Sequence, residues 1–210
     1  IFQSCTGFFK GNKMRKDYEI ILKLIPENSK VLDIGCSDGE LISYLENKGV
    51  SAQGVELNQE KVIKCLEKGL DVIHGDINLI VEDFPFNQFD YCLLTQTIQA
   101  VQKPDKLLNT LKKVSKNIIV SFNNSARLSK ILNFLLSGSF DSLLKKADSD
   151  HWYNTDYIHP CSIKDFKKLA ANLDLKIIST FDVINQRKFE NGKIPSNLFC
   201  KEVLFHITDE

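Results

Sequence analysis

Apolar positions along this chain alternate between two spacings. Tyr18, Ile21, Leu22 and Ile25 keep the three-to-four spacing of one helix face, beginning after Asp17, an N-cap residue by type, and stopped by Pro26. Val31-Leu32-Asp33-Ile34 then reads as a short buried strand, and Gly35 to Gly39 as a turn opening a helix with Leu41, Ile42 and Leu45 on one face. The unit repeats. Gln53 to Leu57 predicts a second strand, Asn58 the cap of a helix bearing Val62, Cys65 and Leu66, and Gly69 its C-cap glycine. Asp71 to His74, Phe89 to Leu94 and Asn117 to Phe122 predict three more strands. Between the last two, a helix starting near Pro104 carries Leu107, Leu108, Leu111 and Val114. Apolar strands alternating with helices imply a parallel sheet covered on both faces.

After Phe122 the alternation breaks. Ala126 to Leu136 reads as helix, and residues 137–161, which include His151, Trp152, Tyr153 and His159, show no period; an insertion of that length predicts a lid or substrate loop. Ser162 and Asp165 resemble a capping box before Phe166, Leu169 and Leu173. Leu175 to Ile184 and Leu198 to Ile207 predict two last strands, paired antiparallel because the polar loop between them is too short for a crossover helix. The expected fold is therefore α/β: a doubly wound, mostly parallel, seven-stranded Rossmann-like sheet with helices on both faces and an antiparallel C-terminal strand. One domain is expected over 14–210. Residues 1–13, ahead of the single methionine Met14, are expected to be a disordered extension with no part in the fold.

Composition narrows the function classes. The 210 residues balance 27 lysines and arginines against 27 aspartates and glutamates, so no surplus of positive potential exists to grip nucleic acid or an anionic membrane. The longest apolar runs, such as Ile131 to Leu136, fall short of the roughly 20 residues that span a bilayer. The N-terminus lacks a continuous signal core, and a soluble cytoplasmic protein is expected. Six scattered cysteines, without a C-x-x-C pair or a histidine at ligand spacing, predict reduced structural thiols and no metal site.

Open α/β sheets bind ligands at the carboxyl ends of their strands, and the first strand-to-helix turn usually forms part of that site. Here the turn runs from Asp33 through Gly35, Cys36, Ser37, Asp38 and Gly39 to Glu40. A dinucleotide fingerprint counted from Gly35 needs glycines at 37 and 40, where Ser37 and Glu40 stand; the Gly-Lys-Ser/Thr ending of a P-loop is also missing. Asp38 and Glu40 would repel a pyrophosphate at the helix N-terminus. A phosphate-free nucleoside such as S-adenosyl-L-methionine, with its sulfonium and amino-acid end, escapes that objection. Glu56, 17 residues after Gly39, ends the second strand where a carboxylate can accept from both ribose hydroxyls, with Leu57 flanking the adenine. Asp76 and Ile77 close the third strand and can meet the adenine amino group and ring. Thr95 and Gln96 end the fourth and would face the transferable methyl. Each residue also has a structural reading, as a tight connection, a solvated strand end or a cap.

These stretches together resemble the methionine biosynthesis protein MetW family, which has the class I methyltransferase fold. The carriers, from Met14 onward, are VLDIGCSDGEL at 31–41, Gly54-Val55-Glu56, Gly75-Asp76, Phe89-Asp90-Tyr91, TQTIQA at 95–100, Ile119 to Phe122, Trp152-Tyr153 with Ile158-His159, and Asn197-Leu198-Phe199. The resemblance implies a role in methionine biosynthesis beside a homoserine O-acyltransferase (MetX-like) partner. The chain departs from the family where Ser37 replaces glycine, Asn123 proline, Asn154 aspartate, and Cys200-Lys201 glycine-glutamate.

If the chain transfers a methyl group, in-line attack on the sulfonium needs orientation and desolvation more than a dedicated acid. His159 is the candidate base and Tyr153 the candidate orienting hydroxyl, with a purely structural part in the loop as the alternative for both. Neither a serine elbow nor an aspartate-proline-proline signature follows the fourth strand, which disfavours nucleobases and protein glutamine as acceptors. Two readings remain open: a non-catalytic or sensing subunit that binds S-adenosylmethionine and an acyltransferase, and a stand-alone methyltransferase acting on a small metabolite.

Overall fold

The structure, a computed structural model, describes residues 14–140, 159–189 and 196–209; the extension expected at 1–13 and most of the expected insertion lie outside them. In chain order the elements are α1 (Lys16–Leu24), β1 (Lys30–Ile34), α2 (Glu40–Asn47), β2 (Ser51–Glu56), α3 (Gln59–Glu67), β3 (Val72–His74), α4 (Ile77–Ile80) with a 3-10 turn at Val81–Asp83, β4 (Phe89–Thr95), α5 (Pro104–Val114), β5 (Ser115–Asn123), α6 (Leu128–Ser137), α7 (Ile163–Asn172), β6 (Lys176–Asp182), β7 (Arg187–Lys188), α8 (Ser196–Phe199) and β8 (Glu202–Thr208). Among the described residues no helix is long and apolar enough to cross a membrane.

The strands form one sheet in the order β3-β2-β1-β4-β5-β8-β6-β7. From β3 to β5 all pairings are parallel, and β8 enters antiparallel between β5 and β6. Strand order reverses at β1, which opens a crevice beyond the carboxyl ends of β1, β2 and β4. Alternation along each strand divides the apolar residues between the two faces. Cys92, Leu94, Ile118, Val120 and Phe122 pack with α5 and α7 on one face, where the Phe122, Phe166 and Phe205 rings lie 4.6 to 5.9 Å apart. Leu93, Ile119 and Leu204 pack with α1 and α2 on the other.

Three local expectations need correction. The sheet has eight strands and not seven, because Arg187–Lys188 folds back on the end of β6 after a turn in which the Asp182 carboxylate accepts from both nitrogens of Asn185, at 3.1 and 2.8 Å. Leu198 lies in a short helical turn, and the last strand starts at Glu202. Asp17 does not cap α1; it sits buried in the first turn, and Arg15 occupies the cap position. The cause is ionic: Arg15 donates Nη2 to Oδ2 at 2.6 Å and Nε to Oδ1 at 3.1 Å, and Ser121 Oγ of β5 donates to Oδ2 at 3.2 Å. Oδ1 also accepts from Tyr18 N at 3.1 Å, the amide of the next residue and not one two or three positions on, as a capping side chain would serve. The capping box forms as expected, with Ser162 Oγ accepting from Asp165 N and Asp165 Oδ2 accepting from Ser162 N, each at 3.1 Å.

Candidate nucleoside site

Beyond β1, β2 and β3 lies a cavity of about 580 Å³, within the range that holds small ligands. Its floor is the Gly35 turn, and the turn is shaped by how its amides are spent. Gly35 N and Cys36 N both donate to Val55 O, at 2.8 and 3.2 Å, and Gly39 N donates to Cys36 O at 3.0 Å. Ser37 N donates to Glu56 Oε2 at 2.9 Å. Four of the turn's amides are thus engaged within the protein. Asp38 leans toward Lys68, 3.9 Å away, which offsets part of the negative charge expected to repel a pyrophosphate.

Close approach explains two glycines. At Gly35, with φ of 73°, a Cβ would stand 2.6 Å from Thr97 Oγ1, and at Gly54 it would stand 2.6 Å from Cys36 Sγ. Thr97 Oγ1 donates to Ile34 O at 3.0 Å, which ties the end of β4 to the end of β1. Ser37 also adopts the left-handed conformation, with φ of 54°.

Glu56 is the centre of this half of the site. Its side chain is buried, and Oε1 accepts from Asn58 N at 2.9 Å while Oε2 holds Ser37 N. Each oxygen keeps a lone pair that can accept from a hydroxyl in the cavity. Asp76 lines the cavity while capping α4, accepting from Asn78 N at 2.9 Å and Nδ2 at 2.6 Å, so its structural reading as a cap holds. Ile77, Val55 and Val101 supply apolar wall, the largely exposed Leu57 supplies a rim, and Lys61 of α3 also reaches the cavity.

A second group of polar side chains gathers at the ends of β1, β4, β5 and β8 under α1. Gln96, held at φ of 60°, donates Nε2 to Glu202 Oε1 at 2.8 Å and accepts at Oε1 from Asn123 Nδ2 at 2.9 Å. Asp33 is wholly buried and its Oδ1 has no hydrogen-bond partner. Burial pushes the Asp33 carboxyl up to about 7 despite the Arg15 charge, with Asp17 and Glu56 adding to the rise. Glu202 is pushed up to about 7 as well, by burial and by Asp17, against the pull of Arg15, the Gln96 hydrogen bond and Lys201.

A family model described as "Methionine biosynthesis protein MetW" matches residues 15–207. The chain belongs to the MetW family. It is 31% identical over 202 residues to the bifunctional methionine biosynthesis protein MetXA/MetW of Rhodopirellula baltica, covering 90% of this chain and 32% of that protein, so it spans about a third of the relative's length. Among solved structures it is similar in fold to a TehB-like SAM-dependent methyltransferase from Corynebacterium glutamicum, with a TM-score of 0.64, 14% identity, and coverage of 95% of this chain and 90% of that one. A SAM-dependent methyltransferase from Archaeoglobus fulgidus gives a TM-score of 0.61 and 17% identity over 91% and 94% of the two chains. At these identities the likeness shows the fold, a class I methyltransferase sheet.

The structure brings Gly35, Glu56, Leu57, Asp76 and Ile77 to one cavity. Cys36, Ser37 and Gly39 shape the turn under it, with Cys36 buried and its thiol pushed up by burial. Asp33, Thr95 and Gln96 lie at neighbouring strand ends rather than in the described cavity wall. His159 is placed elsewhere: its backbone N donates to Gln99 O at 3.0 Å, and its Nε2 lies 3.2 Å from Gln102 O, a pairing that uses Nε2 as a donor. Tyr153 falls outside the described residues. Sequence reasoning missed Arg15, Asp17, Thr97 and Glu202. Thr97 stood one residue beyond the strand end already singled out, Asp17 was read as a helix cap, and Arg15 and Glu202 carried no local signal.

Proposed function

We propose that the cavity binds S-adenosyl-L-methionine and that this MetW-family chain works as a SAM-binding subunit beside a homoserine O-acyltransferase partner. The observation that carries the first half is Glu56, a buried carboxylate fastened between the Gly35 turn and the cap of α3 with lone pairs left for two ribose hydroxyls. The residues suit the rest of that ligand. Asp76 and Ile77 would take the adenine, Thr97 would close the ribose side against Gly35, and the unpartnered Asp33 Oδ1 answers the need of an ammonium group. When bound, S-adenosylmethionine supplies an electrophilic methyl on a sulfonium. The chain's own part is to orient the nucleoside and hold a carboxylate toward the cationic end. What supports the partner is the Rhodopirellula baltica relative, in which MetXA and MetW share one polypeptide.

A second reading, a stand-alone methyltransferase on a small metabolite, draws on the polar group at Gln96 and Glu202, which could receive an acceptor. Calorimetry with S-adenosylmethionine, S-adenosylhomocysteine and NAD tests the site; the presence of Lys61 makes NAD a needed control. Binding of the two sulfur nucleosides alone supports the assignment, and binding of NAD alone overturns it. Co-purification with a homoserine acyltransferase, followed by acyl-transfer assays with and without this chain, separates the subunit from the stand-alone enzyme. A partner that neither binds nor gains activity overturns the subunit reading.

A further inference from the structure

We infer that the groove between α4 and α5, beside the nucleoside cavity, docks an acidic segment of the acyltransferase partner that carries an apolar side chain. This rests on the proposed partner and adds the surface that receives it and the chemistry that surface selects.

The groove has a volume of about 190 Å³, below the roughly 300 Å³ at which small-ligand pockets begin, so it suits a side chain or two rather than a nucleoside. The α4 side contributes Leu79, Val81 and Glu82 to its lining, and the α5 side contributes Lys103, Lys106 and Thr110. Steps of three, four and three residues put Lys103, Lys106, Thr110 and Lys113 along one face of α5. Leu79 and Phe86 stay 75% and 74% exposed, and Asn87 N donates to Lys113 O at 2.9 Å, so Phe86 stands where the row of lysines ends.

In a chain whose charges balance overall, three lysines on that face meet one carboxylate in the groove lining, Glu82; Asp83 and Asp105, close by in sequence, are not among the lining residues. Among the described residues neither Lys103 nor Lys106 has an ion-pair partner. Cations beside an exposed leucine fit carboxylates that flank an apolar anchor, the anchor losing its water in the groove while the charges meet at the rim. A phosphate backbone would answer the lysines alone and leave Leu79 uncovered. Asn78 lines this groove and the nucleoside cavity alike, and it is bonded to Asp76 of the cavity. A nucleoside held at Asp76 and Ile77 therefore braces α4, one side of the groove, and nucleoside and partner each favour the binding of the other.

The test is titration calorimetry of the full chain against intact homoserine O-acyltransferase at about 50 and about 300 mM salt, with and without S-adenosylhomocysteine. Partner affinity is expected to fall about ten-fold with the added salt and to rise about five-fold with the nucleoside. The double variant Lys103→Glu with Lys106→Glu, both at exposed positions, should lose at least about ten-fold in partner affinity and most of the salt dependence, while binding S-adenosylhomocysteine as before. Leu79→Ser should lose about five-fold at either salt. A double variant that keeps wild-type affinity for the acyltransferase overturns the docking surface, and if it has lost binding of a single-stranded DNA probe instead, the face belongs to nucleic acid. Partner affinity indifferent to the nucleoside overturns the link through α4. Should the double variant fail to fold, Lys106→Gln, with an expected loss of about three-fold, decides with the wild-type salt series. If the wild type does not bind the acyltransferase, the proposed partner falls and this inference with it; if it binds and the lysines are without effect, only this inference falls.

Discussion

Around Glu56 the main polar groups have partners: Glu56 holds two amides, Asp76 holds Asn78, and four turn amides are paired with Val55, Cys36 or Glu56. Where β1 meets β4, Asp33 Oδ1 has no partner, and burial pushes its carboxyl, like that of Glu202 at the start of β8, up to about 7. The first group has its hydrogen bonds in place before any ligand arrives; the second stores an electrostatic cost.

Removing the centre of the paired half should have the largest effect. Glu56→Ala takes away both acceptors for ribose and releases Ser37 N and Asn58 N, so affinity for S-adenosylhomocysteine should fall about 1000-fold, about 4 kcal/mol, by calorimetry. A loss below ten-fold would erase the distinction between the halves.

The unpaired half should respond to pH. The folded Asp33 carboxyl is raised above its unfolded value of 3.8 to about 7, so its contribution to stability is fully present below pH 3.8 and is lost as pH rises toward 7, with little change above. Asp33→Asn should abolish that slope and gain on the order of 3 kcal/mol at pH 8 in denaturant unfolding, while weakening both sulfur nucleosides by similar factors. A wild-type curve flat from pH 4 to about 7 would contradict it.

A smaller effect probes the packing beneath the nucleoside half. Gly54→Ala forces a Cβ to within 2.6 Å of Cys36 Sγ and 2.7 Å of Ile42 Cδ1, and should cost about 2 kcal/mol of stability and shift the Gly35 turn. The smallest expected change is at Ser37, whose φ of 54° is costly for a residue with a Cβ. Ser37→Gly should stabilise by less than about 1 kcal/mol, the gain in conformation being partly offset by greater freedom of the unfolded chain, with ligand affinity unchanged because the amide still donates to Glu56.

Much of the paired half was legible in the chain because its parts are local. A strand, a glycine turn and a helix follow one another at 30–47, Asn58 caps α3 through the Lys61 amide at 3.2 Å, and Glu56 and Asp76 stand at strand ends that the apolar runs announce. The Ser162–Asp165 capping box was legible for the same reason. β7 was not, since two polar residues carry no period and pair only because the Asp182 turn returns them to β6. Asp17 was misread as a cap because its type suits one, and the competing claim came from Arg15 and from Ser121, 104 residues away.

The sequence by itself determined the alternation of strands and helices, the glycine turn and the carboxylates at the ends of β2 and β3, because spacing, turn chemistry and strand burial act over a few neighbouring residues. Only the tertiary structure decided that Arg15, Asp17, Gln96 and Glu202 share one neighbourhood, since β8 reaches β5 by inserting antiparallel beside it and places Glu202 opposite Asn123. The raised carboxyls follow from that placement: desolvation and the distance to another charge depend on the packed chain, and no local pattern encodes either.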